Sequence, residues 1–420
     1  MSFKTISVVG LGYIGLPTAA VFASRRINVI GVDVNQHAVD TINKGEIHIV
    51  EPELDIVVRA AVSEGYLKAT TKPEPADAFL IAVPTPFKGN YEPDLAYIES
   101  ATKAIAPVLK KGDLVVLEST SPVGATEQMS EWLAEARPDL TFPQSHGESS
   151  DVRVAHCPER VLPGHVIREL VENDRVIGGL TPKCSERSVE LYKICVEGDC
   201  VITNARTAEM AKLTENSSRD VSIAFANELS IICDKLDINV WELISLANRH
   251  PRVDILQPGP GVGGHCIAVD PWFIVSKTPD EAKLIHTARL VNDSKPTWVI
   301  SKVEKAISDI VHNSPKTLAD IKIACFGVAF KPDIDDLRES PALDITKQLS
   351  QKYPNQVTVV EPNVPDLPKA LTESGVTLSV LELAIESCDV LVMLVDHKEF
   401  KQKKFTKAEH QLLVDTKGIW

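Results

Sequence analysis

The chain of 420 residues is 44% apolar and 24% charged, an ordinary globular composition with room for two or three domains of roughly 150 residues each. With 44 Lys and Arg against 58 Asp and Glu it carries a net charge of −14, which argues against a general nucleic-acid or anionic-membrane binder but leaves room for a local basic pocket. Its eight cysteines are scattered and form no CxxC pair, so they read as small buried thiols of a reducing cytoplasm and not as a disulfide framework.

The first apolar run, from Ile6, has only Lys4 as charge ahead of it and leads into a GxGxxG, so it reads as a strand and turn and not as a secretory leader. Nowhere do ~18 uninterrupted apolar residues suggest a membrane span, and a soluble, cytoplasmic protein is expected. Ile6–Val9 predicts a buried strand, Gly10, Gly12 and Gly15 a tight turn, and Leu16–Arg25 a helix; a second strand, Asn28–Val32, ends at Asp33. Apolar runs over Ala78–Val83 and Leu114–Glu118 stop at polar loops, VPTP and STSPVG. Strands alternating with helices imply a doubly wound parallel sheet, whose ligand lies at the carboxyl ends of the strands, where these loops sit.

From Thr207 to Leu236 the pattern becomes one long helix without Gly or Pro. Met210, Leu213, Val221, Ala224, Phe225 and Ile232 form its expected apolar stripe. Glu209, Lys212, Asn216 and Arg219 share another face at steps of 3, 4 and 3 residues, a face expected to lie between domains or at a subunit interface. Residues 312–320 read as a linker. A second α/β unit follows, with strands over Lys322–Gly327, Val357–Val360, Val390–Val395 and Leu412–Asp415 and a helix from about Pro341.

GLGYIG, set between strand and helix with Asp33 eighteen residues beyond Gly15, is a dinucleotide-binding fingerprint. Bare backbone approaches the pyrophosphate at the helix N-terminus, and Asp33 binds the adenosine ribose hydroxyls while repelling a 2′-phosphate, which favours NAD. Thr85 and Thr120, at strand ends, carry hydroxyls that either contact the cofactor or a water, or cap the following turn. GPGVGGHCIAVDP (Gly259–Pro271) sets Cys266 in a glycine-rich loop with Asp270 four residues on. A buried inert thiol is the ordinary fate of cysteine, but such a loop exposes backbone N–H groups that stabilise a thiolate or an oxyanion. A cysteine nucleophile together with a hydride-accepting cofactor points to aldehyde oxidation through a thiohemiacetal and a thioester, and so to a four-electron conversion of alcohol to acid.

Lys212 and Asn216, one turn apart, form either a solvated helix face or a pair that holds water and stabilises alkoxide or oxyanion charge. Arg249, His250 and Arg252, broken by Pro251 into a loop, are surface charge or a cationic cluster for a phosphate or polar sugar. His250, His265, Cys266 and Asp270 match no common zinc-ligand spacing, and no metal is expected.

GLGYIGLP with Asp33, STSPVG, CPERVLPG, AEMAKLTENSSRD, GPGVGGHCIAVDP and GVAFKPDIDDLRES occur in this order, and together they resemble the UDP-glucose/GDP-mannose dehydrogenase family over essentially the whole chain. The resemblance implies an α/β fold of two Rossmann-like doubly wound parallel-sheet domains joined by a central helical domain with a long helix. It divides the chain into an NAD-binding domain over 1–203, a helical dimerisation domain over 204–311 and a C-terminal domain for the UDP-sugar over 312–420. It also implies oxidation of C6 of a UDP-sugar to the uronate with two NAD, no metal, no nucleic-acid or membrane partner, and a homodimer with a composite site.

By the same resemblance, Cys266 is the nucleophile, Lys212 the general acid/base and charge stabiliser, Asn216 its partner in the oxyanion and water site, and Asp270 the carboxylate assisting near the thiol. Glu159 and Thr120 order the hydrolytic water. Gly10, Gly12, Tyr13, Ile14, Gly15, Asp33, Thr85, Thr126 and Arg338 match cofactor positions. Arg160, Val161, Lys212, Asn216, Arg219, His250, Arg252, Gly263, Phe330, Lys331 and Lys417 match substrate positions, and the arginine matching Arg252 reaches across the dimer. Within the family, HPRVDILQPGPGVGGHCIAVDPWF is most similar to the UDP-N-acetylhexosamine branch, with N-acetyl-D-mannosamine as the expected sugar. UDP-N-acetylglucosamine, UDP-glucose and GDP-mannose are the rival substrates, and a non-catalytic NAD-sensing protein is the rival of another class. Where the UDP-glucose branch reads C-x-P-K-D, this chain has Cys266-Ile267-Ala268-Val269-Asp270, without the proline and lysine.

Overall fold

The computed structural model describes residues 3–420 except 50, 163, 265, 404 and 405. Two units emerge, one of the residues up to Glu215 together with Trp272–Pro279, the other of Asn216–Pro271 with Asp280–Trp420.

The first unit contains, in chain order, β1 (Thr5–Val9), β2 (Asn28–Val32), β3 (Leu67–Thr70), β4 (Ala78–Ile81), a hairpin of β5 (Phe87–Lys88) and β6 (Glu92–Pro93), β7 (Leu114–Leu117), β8 (Arg153–His156), β9 (Arg175–Gly179) and β10 (Cys200–Asn204). All but the hairpin join one sheet in the order β10-β9-β8-β7-β4-β1-β2-β3. Every residue of β4 and β7 is buried, because helices cover both faces of the sheet, and that is why these strands read as unbroken apolar runs. Each fully buried Leu or Val there contributes roughly 1.5–3 kcal/mol. From β3 to β8 the order is that of a dinucleotide-binding sheet, so its crevice opens where the order reverses, at the carboxyl ends of β1 and β4 beside Gly10.

β9 departs from the expected parallel pattern. It runs antiparallel to β8, pairing Ala155 with Gly179 and His156 with Gly178, and β10 then follows it in parallel. The connection from β8 to β9 carries only the seven-residue helix Val166–Glu172. β9 adds outside the six strands of the dinucleotide-binding order, at a sheet edge where an antiparallel strand satisfies the free backbone groups as well as a parallel one does.

The long helix is Ala205–Lys235, two residues earlier at its start and one at its end than the sequence pattern predicts. Of its expected apolar stripe, Leu213 and Ala224 are buried while Met210, Phe225 and Ile232 are exposed. Much of what it buries in the second unit is polar. Asp220 pairs with Arg289 of the helix Lys283–Asn313 at 2.6 Å and accepts from Asn292 at 2.8 Å; Asn227 donates to Asn292 at 2.9 Å, and Lys295 donates to Ser230. Asn227 also accepts the N–H of Gly259 at 2.9 Å, which ties this buried ladder to the start of the Cys266 loop. The second helix takes up the first two residues of the expected linker.

The second unit holds β11 (Ile323–Phe326), β12 (Val357–Val360), β13 (Thr377–Leu378), β14 (Val390–Met393) and β15 (Leu412–Asp415) in one sheet, ordered β13-β12-β11-β14-β15 and parallel throughout. The order reverses between β11 and β14, so a second crevice opens at their carboxyl ends. Among the described residues no helix is long and apolar enough to cross a membrane.

Candidate active site

In the first unit, Gly10 has φ 91°, and a Cβ there would stand 2.6 Å from the carbonyl oxygen of Ala82. Only glycine fits. Over Gly12 nothing lies within 4 Å of where a Cβ would be. That open place leaves bare backbone within reach of a pyrophosphate, and it fits a dinucleotide. Asp33 accepts the N–H of Leu11 at 2.8 Å on Oδ2 and that of Asn35 at 2.9 Å on Oδ1, which fixes the carboxylate expected to bind ribose beside the same turn. Thr85 carries a buried hydroxyl with no hydrogen-bond partner among the described residues, a vacancy a ligand would satisfy. Tyr13 is exposed and Ile14 half-buried on the glycine turn.

Thr126 stands in a different setting. It is buried, and its hydroxyl and N–H both donate to Glu209 Oε1, at 2.6 and 2.8 Å, while Gly124 N–H donates to Oε2 at 2.7 Å. Glu209 therefore caps the helix Ala125–Ala136 from a distant part of the chain. Burial outweighs these bonds and raises its pKa. In the sequence this carboxylate was only one member of a polar helix face.

Glu159 is buried, its Oε2 paired with Arg175 and its Oε1 accepting the N–H of Arg160 at 2.8 Å. Beside it, Tyr192 donates to Glu118 Oε1 at 2.6 Å. The Glu118 pKa is pushed up to about 7, by burial first and by the charge of Glu159 second. Glu118, Arg175 and Tyr192 escaped the sequence reading; an acid closing the apolar run of β7 is the one signal that pointed there. Arg160 pairs with Glu215 at 2.8 Å, Val161 packs on the core, and Thr120 and Lys212 are half-buried.

In the second unit Cys266 is exposed, whereas Cys157, Cys184, Cys195, Cys233, Cys325 and Cys388 are buried and Cys200 is half-buried. Burial pushes the Cys195 and Cys325 thiols up to about 12, the behaviour of inert cysteines. The Cys266 carbonyl accepts from the N–H groups of Val269 at 3.0 Å and Asp270 at 2.8 Å, a tight turn that opens the helix Asp270–Lys277. Three residues earlier, a Cβ on Gly263 would meet the Glu339 carbonyl oxygen at 2.3 Å, so the glycines let this loop pass backbone to backbone over its neighbour. Asp270 is 3% exposed, and its Oδ2 accepts an amide N–H of Asn216 at 2.5 Å. His265 lies outside the described residues, and among the described residues no three metal-ligating side chains cluster.

At the crevice between β11 and β14 lies a cleft of about 420 Å³. Arg219, Phe330 and Lys417, three of the residues expected to contact substrate, line it, and so do Leu256, Gln257 and Asp396, which the resemblance did not single out. Asp396 directly follows the apolar run Val390–Val395, three residues past the end of β14, and an acid closing such a run is the signal that could have marked it. Lys417 and Lys401 reach its carboxylate at 3.2 and 2.6 Å; burial works against ionisation, but the two ammonium groups hold its pKa below the usual range. Lys331 is exposed next to Phe330, and Arg338 makes a two-pronged pair with Asp336 at 2.9 and 2.6 Å. His250 and Arg252 stand on an exposed turn and are not among the residues lining the cleft. An apolar wall with a few cations at its rim suits a nucleoside diphosphate.

Three consecutive segments match models of the UDP-glucose/GDP-mannose dehydrogenase family: its NAD binding domain at residues 4–196, its central domain at 206–294 and its UDP binding domain at 324–420. The chain belongs to that family. A UDP-N-acetyl-D-mannosamine dehydrogenase of Yersinia pestis is 68% identical over 420 residues, covering 100% of both chains. An NDP-N-acetyl-D-galactosaminuronic acid dehydrogenase of Ralstonia nicotianae is 64% identical over 100% of this chain and 97% of its own length. Among solved structures, the UDP-D-ManNAc dehydrogenase of Pyrococcus horikoshii matches with a TM-score of 0.86 at 37% identity, over 99% of this chain and 96% of that one. As a member of the UDP-glucose/GDP-mannose dehydrogenase family, the chain is an NAD-dependent nucleotide-sugar dehydrogenase, with its dinucleotide fingerprint in the first unit and its UDP binding domain in the second.

Proposed function

We propose that this dehydrogenase oxidises the C6 hydroxyl of UDP-N-acetyl-D-mannosamine to the carboxylate of UDP-N-acetyl-D-mannosaminuronate, consuming two NAD and one water. One observation carries the acid-forming chemistry: of eight cysteines Cys266 alone is exposed, in a glycine loop whose Asp270 is hydrogen-bonded to Asn216. The sugar follows from the full-length likeness to the Yersinia pestis enzyme.

NAD, held by the Gly10–Gly15 turn and Asp33, supplies the acceptor for both hydrides. Lys212, directly or through a water, takes the proton of the C6 hydroxyl. The Cys266 thiolate adds to the aldehyde carbon, forming a C–S bond and an oxyanion, so the aldehyde never leaves. Lys212 and the second N–H of the Asn216 amide stabilise that oxyanion, while Asp270 holds the first N–H and so orients the amide. The second oxidation leaves a thioester on Cys266. A water ordered by Glu159 and Thr120 adds to the acyl carbon, the C–S bond breaks, and the thiol is restored as the acid departs.

Arg219, Phe330, Lys331 and Lys417 bind the UDP end, and Arg160, Val161, His250 and Gly263 the sugar. Thr85, Thr126 and Arg338 complete the cofactor set. Domains over 1–203, 204–311 and 312–420 divide the labour, and the central one forms a homodimer in which Arg252 of a second copy completes the site. Exposed Phe225 and Ile232, seven residues apart on one face of the long helix, and exposed Leu236 just past its end support that interface. The enzyme works in the cytoplasm, and its uronate serves a cell-surface polysaccharide such as enterobacterial common antigen.

The decisive assay is NADH formation over a panel of UDP- and GDP-sugars. Two NADH per sugar with preference for UDP-N-acetyl-D-mannosamine is expected. Preference for the galacto isomer, the series named in the Ralstonia nicotianae relative, would move the sugar assignment, and one NADH per sugar would remove the thioester step.

A further inference from the structure

Behind the cleft of the second unit lies a buried charged cluster that the mechanism above does not use. Glu361, just past β12, and His397, past β14, are 5% and 0% exposed. Glu361 Oε2 accepts the N–H groups of Val328 at 2.8 Å and Ala329 at 3.2 Å, and its Oε1 accepts that of Asn363 at 3.1 Å. His397 Nε2 stands 3.1 Å from the same Oε2. On the other side of the ring, Asp333 N–H donates to Nδ1 at 2.9 Å, and the Asn363 amide lies 3.0 Å from that nitrogen. A backbone N–H pointing at Nδ1 makes it the acceptor, so the ring proton sits on Nε2 and faces Glu361. Burial raises the Glu361 pKa, but the bonds from His397 and Val328 more than reverse this and hold it low.

The first unit contains a similar device, in which the neighbouring His48 makes no hydrogen bond to the carboxylate among the described residues. Asp33 accepts N–H groups from Leu11, two residues past β1, and from Asn35, two residues past itself; Glu361 accepts from Val328, two residues past β11, and from Asn363, two residues past itself. The hydrogen bond between His397 and the carboxylate is the second unit's addition. His397 extends the grip from Val328 and Ala329 to Asp333, whose φ of 62° is a left-handed conformation that a non-glycine residue keeps only when held. Between the two grips lie Phe330, Lys331 and Pro332, and Ala329, Phe330 and Pro332 line the cleft.

We infer that His397 is a positioning residue for nucleotide-sugar binding: by bonding Glu361 and the Asp333 backbone at once, it holds the 328–333 loop in the shape that lines the cleft. The inference rests on the reading that this cleft takes the UDP end of the substrate. In the full-length enzyme, His397→Phe keeps the ring and its edge contact with Phe400, at 5.4 Å, but removes both nitrogens. UDP affinity measured by calorimetry and the KM for the UDP-sugar are expected to weaken on the order of tenfold, the scale of two lost hydrogen bonds. The KM for NAD and kcat are expected to stay within about threefold, and His397→Gln to recover part of the loss. Wild-type enzyme that binds UDP while folded His397→Phe binds it equally well overturns the role of His397 alone, as does equal weakening toward NAD. Wild-type enzyme that binds no UDP overturns the cleft reading and this inference with it. Should His397→Phe fail to fold, His397→Gln with unchanged UDP affinity overturns the role, and a few-fold loss supports it.

Discussion

Replacing Glu118 by Gln tests the electrostatics around Glu159. Glu118 is 2% exposed, and its pKa moves from an ordinary 4.5 to about 7, by burial first and then by the charge of Glu159, against the opposing pull of Tyr192 and Arg175. Between pH 4.5 and 7 the native state keeps a proton that the unfolded chain has released, so stability falls as pH rises through that window. At 1.36 kcal/mol per pH unit, the full penalty above pH 7 is about 3 kcal/mol. Glutamine has the shape of the neutral acid, and its carbonyl can keep the 2.6 Å bond from Tyr192. Glu118→Gln is therefore expected to gain up to about 3 kcal/mol of unfolding free energy at pH ~8 and close to none at pH ~5, in urea titrations followed by circular dichroism. An equal gain at both pH values, or a loss at the higher one, would refute burial of a titrating carboxyl as the cause.

Cys266→Ser is expected to abolish uronate formation, leaving at most traces of aldehyde or a stalled hemiacetal by mass spectrometry; full conversion would remove Cys266 from the chemistry. Lys212→Ala is expected to lower kcat on the order of 10²-fold or more, as for loss of an acid–base or oxyanion group, and an unchanged kcat would return Lys212 to a solvated helix face. Lys295 is 1% exposed, and burial draws its pKa from 10.5 down to about 7 against the pull of Asp234. Here the unfolded chain holds the extra proton between pH 7 and 10.5, so stability rises with pH through that window. Lys295→Met is expected to stabilise by roughly 1–4 kcal/mol at neutral pH, with a gain that fades toward pH ~10 in thermal melts; a gain independent of pH would contradict the assignment.

The fold was legible wherever burial imposes a period or an unbroken apolar run. β2, β12 and β15 lie where the pattern predicts them, and the long helix shifts by two residues or fewer. The reversal of β9 was not legible, because the direction of a strand at a sheet edge is settled by its tertiary pairing, and alternation of strand and helix is blind to direction. The stripe on the long helix misled for a related reason: Phe225 and Ile232 satisfy an apolar period yet stay exposed in the single chain, while Asp220 and Asn227 break the period and are buried, because Arg289 and Asn292 lie across from them.

Local chemistry was set by the chain itself: glycines that a tight turn and a crossing loop cannot do without, an acid closing the second strand, and one cysteine in a loop no core could use. Pairing across sequence distance was settled only by folding. Nothing near Thr126 announces that Glu209, 83 residues away, accepts its hydroxyl, and nothing near Phe330 announces that an imidazole 64 residues beyond Asp333 accepts the backbone N–H that ends its loop. Such partners are chosen by the topology of each sheet, which brings strand ends together regardless of their separation along the chain, and a hydrogen bond leaves no periodic trace in either of the segments it joins.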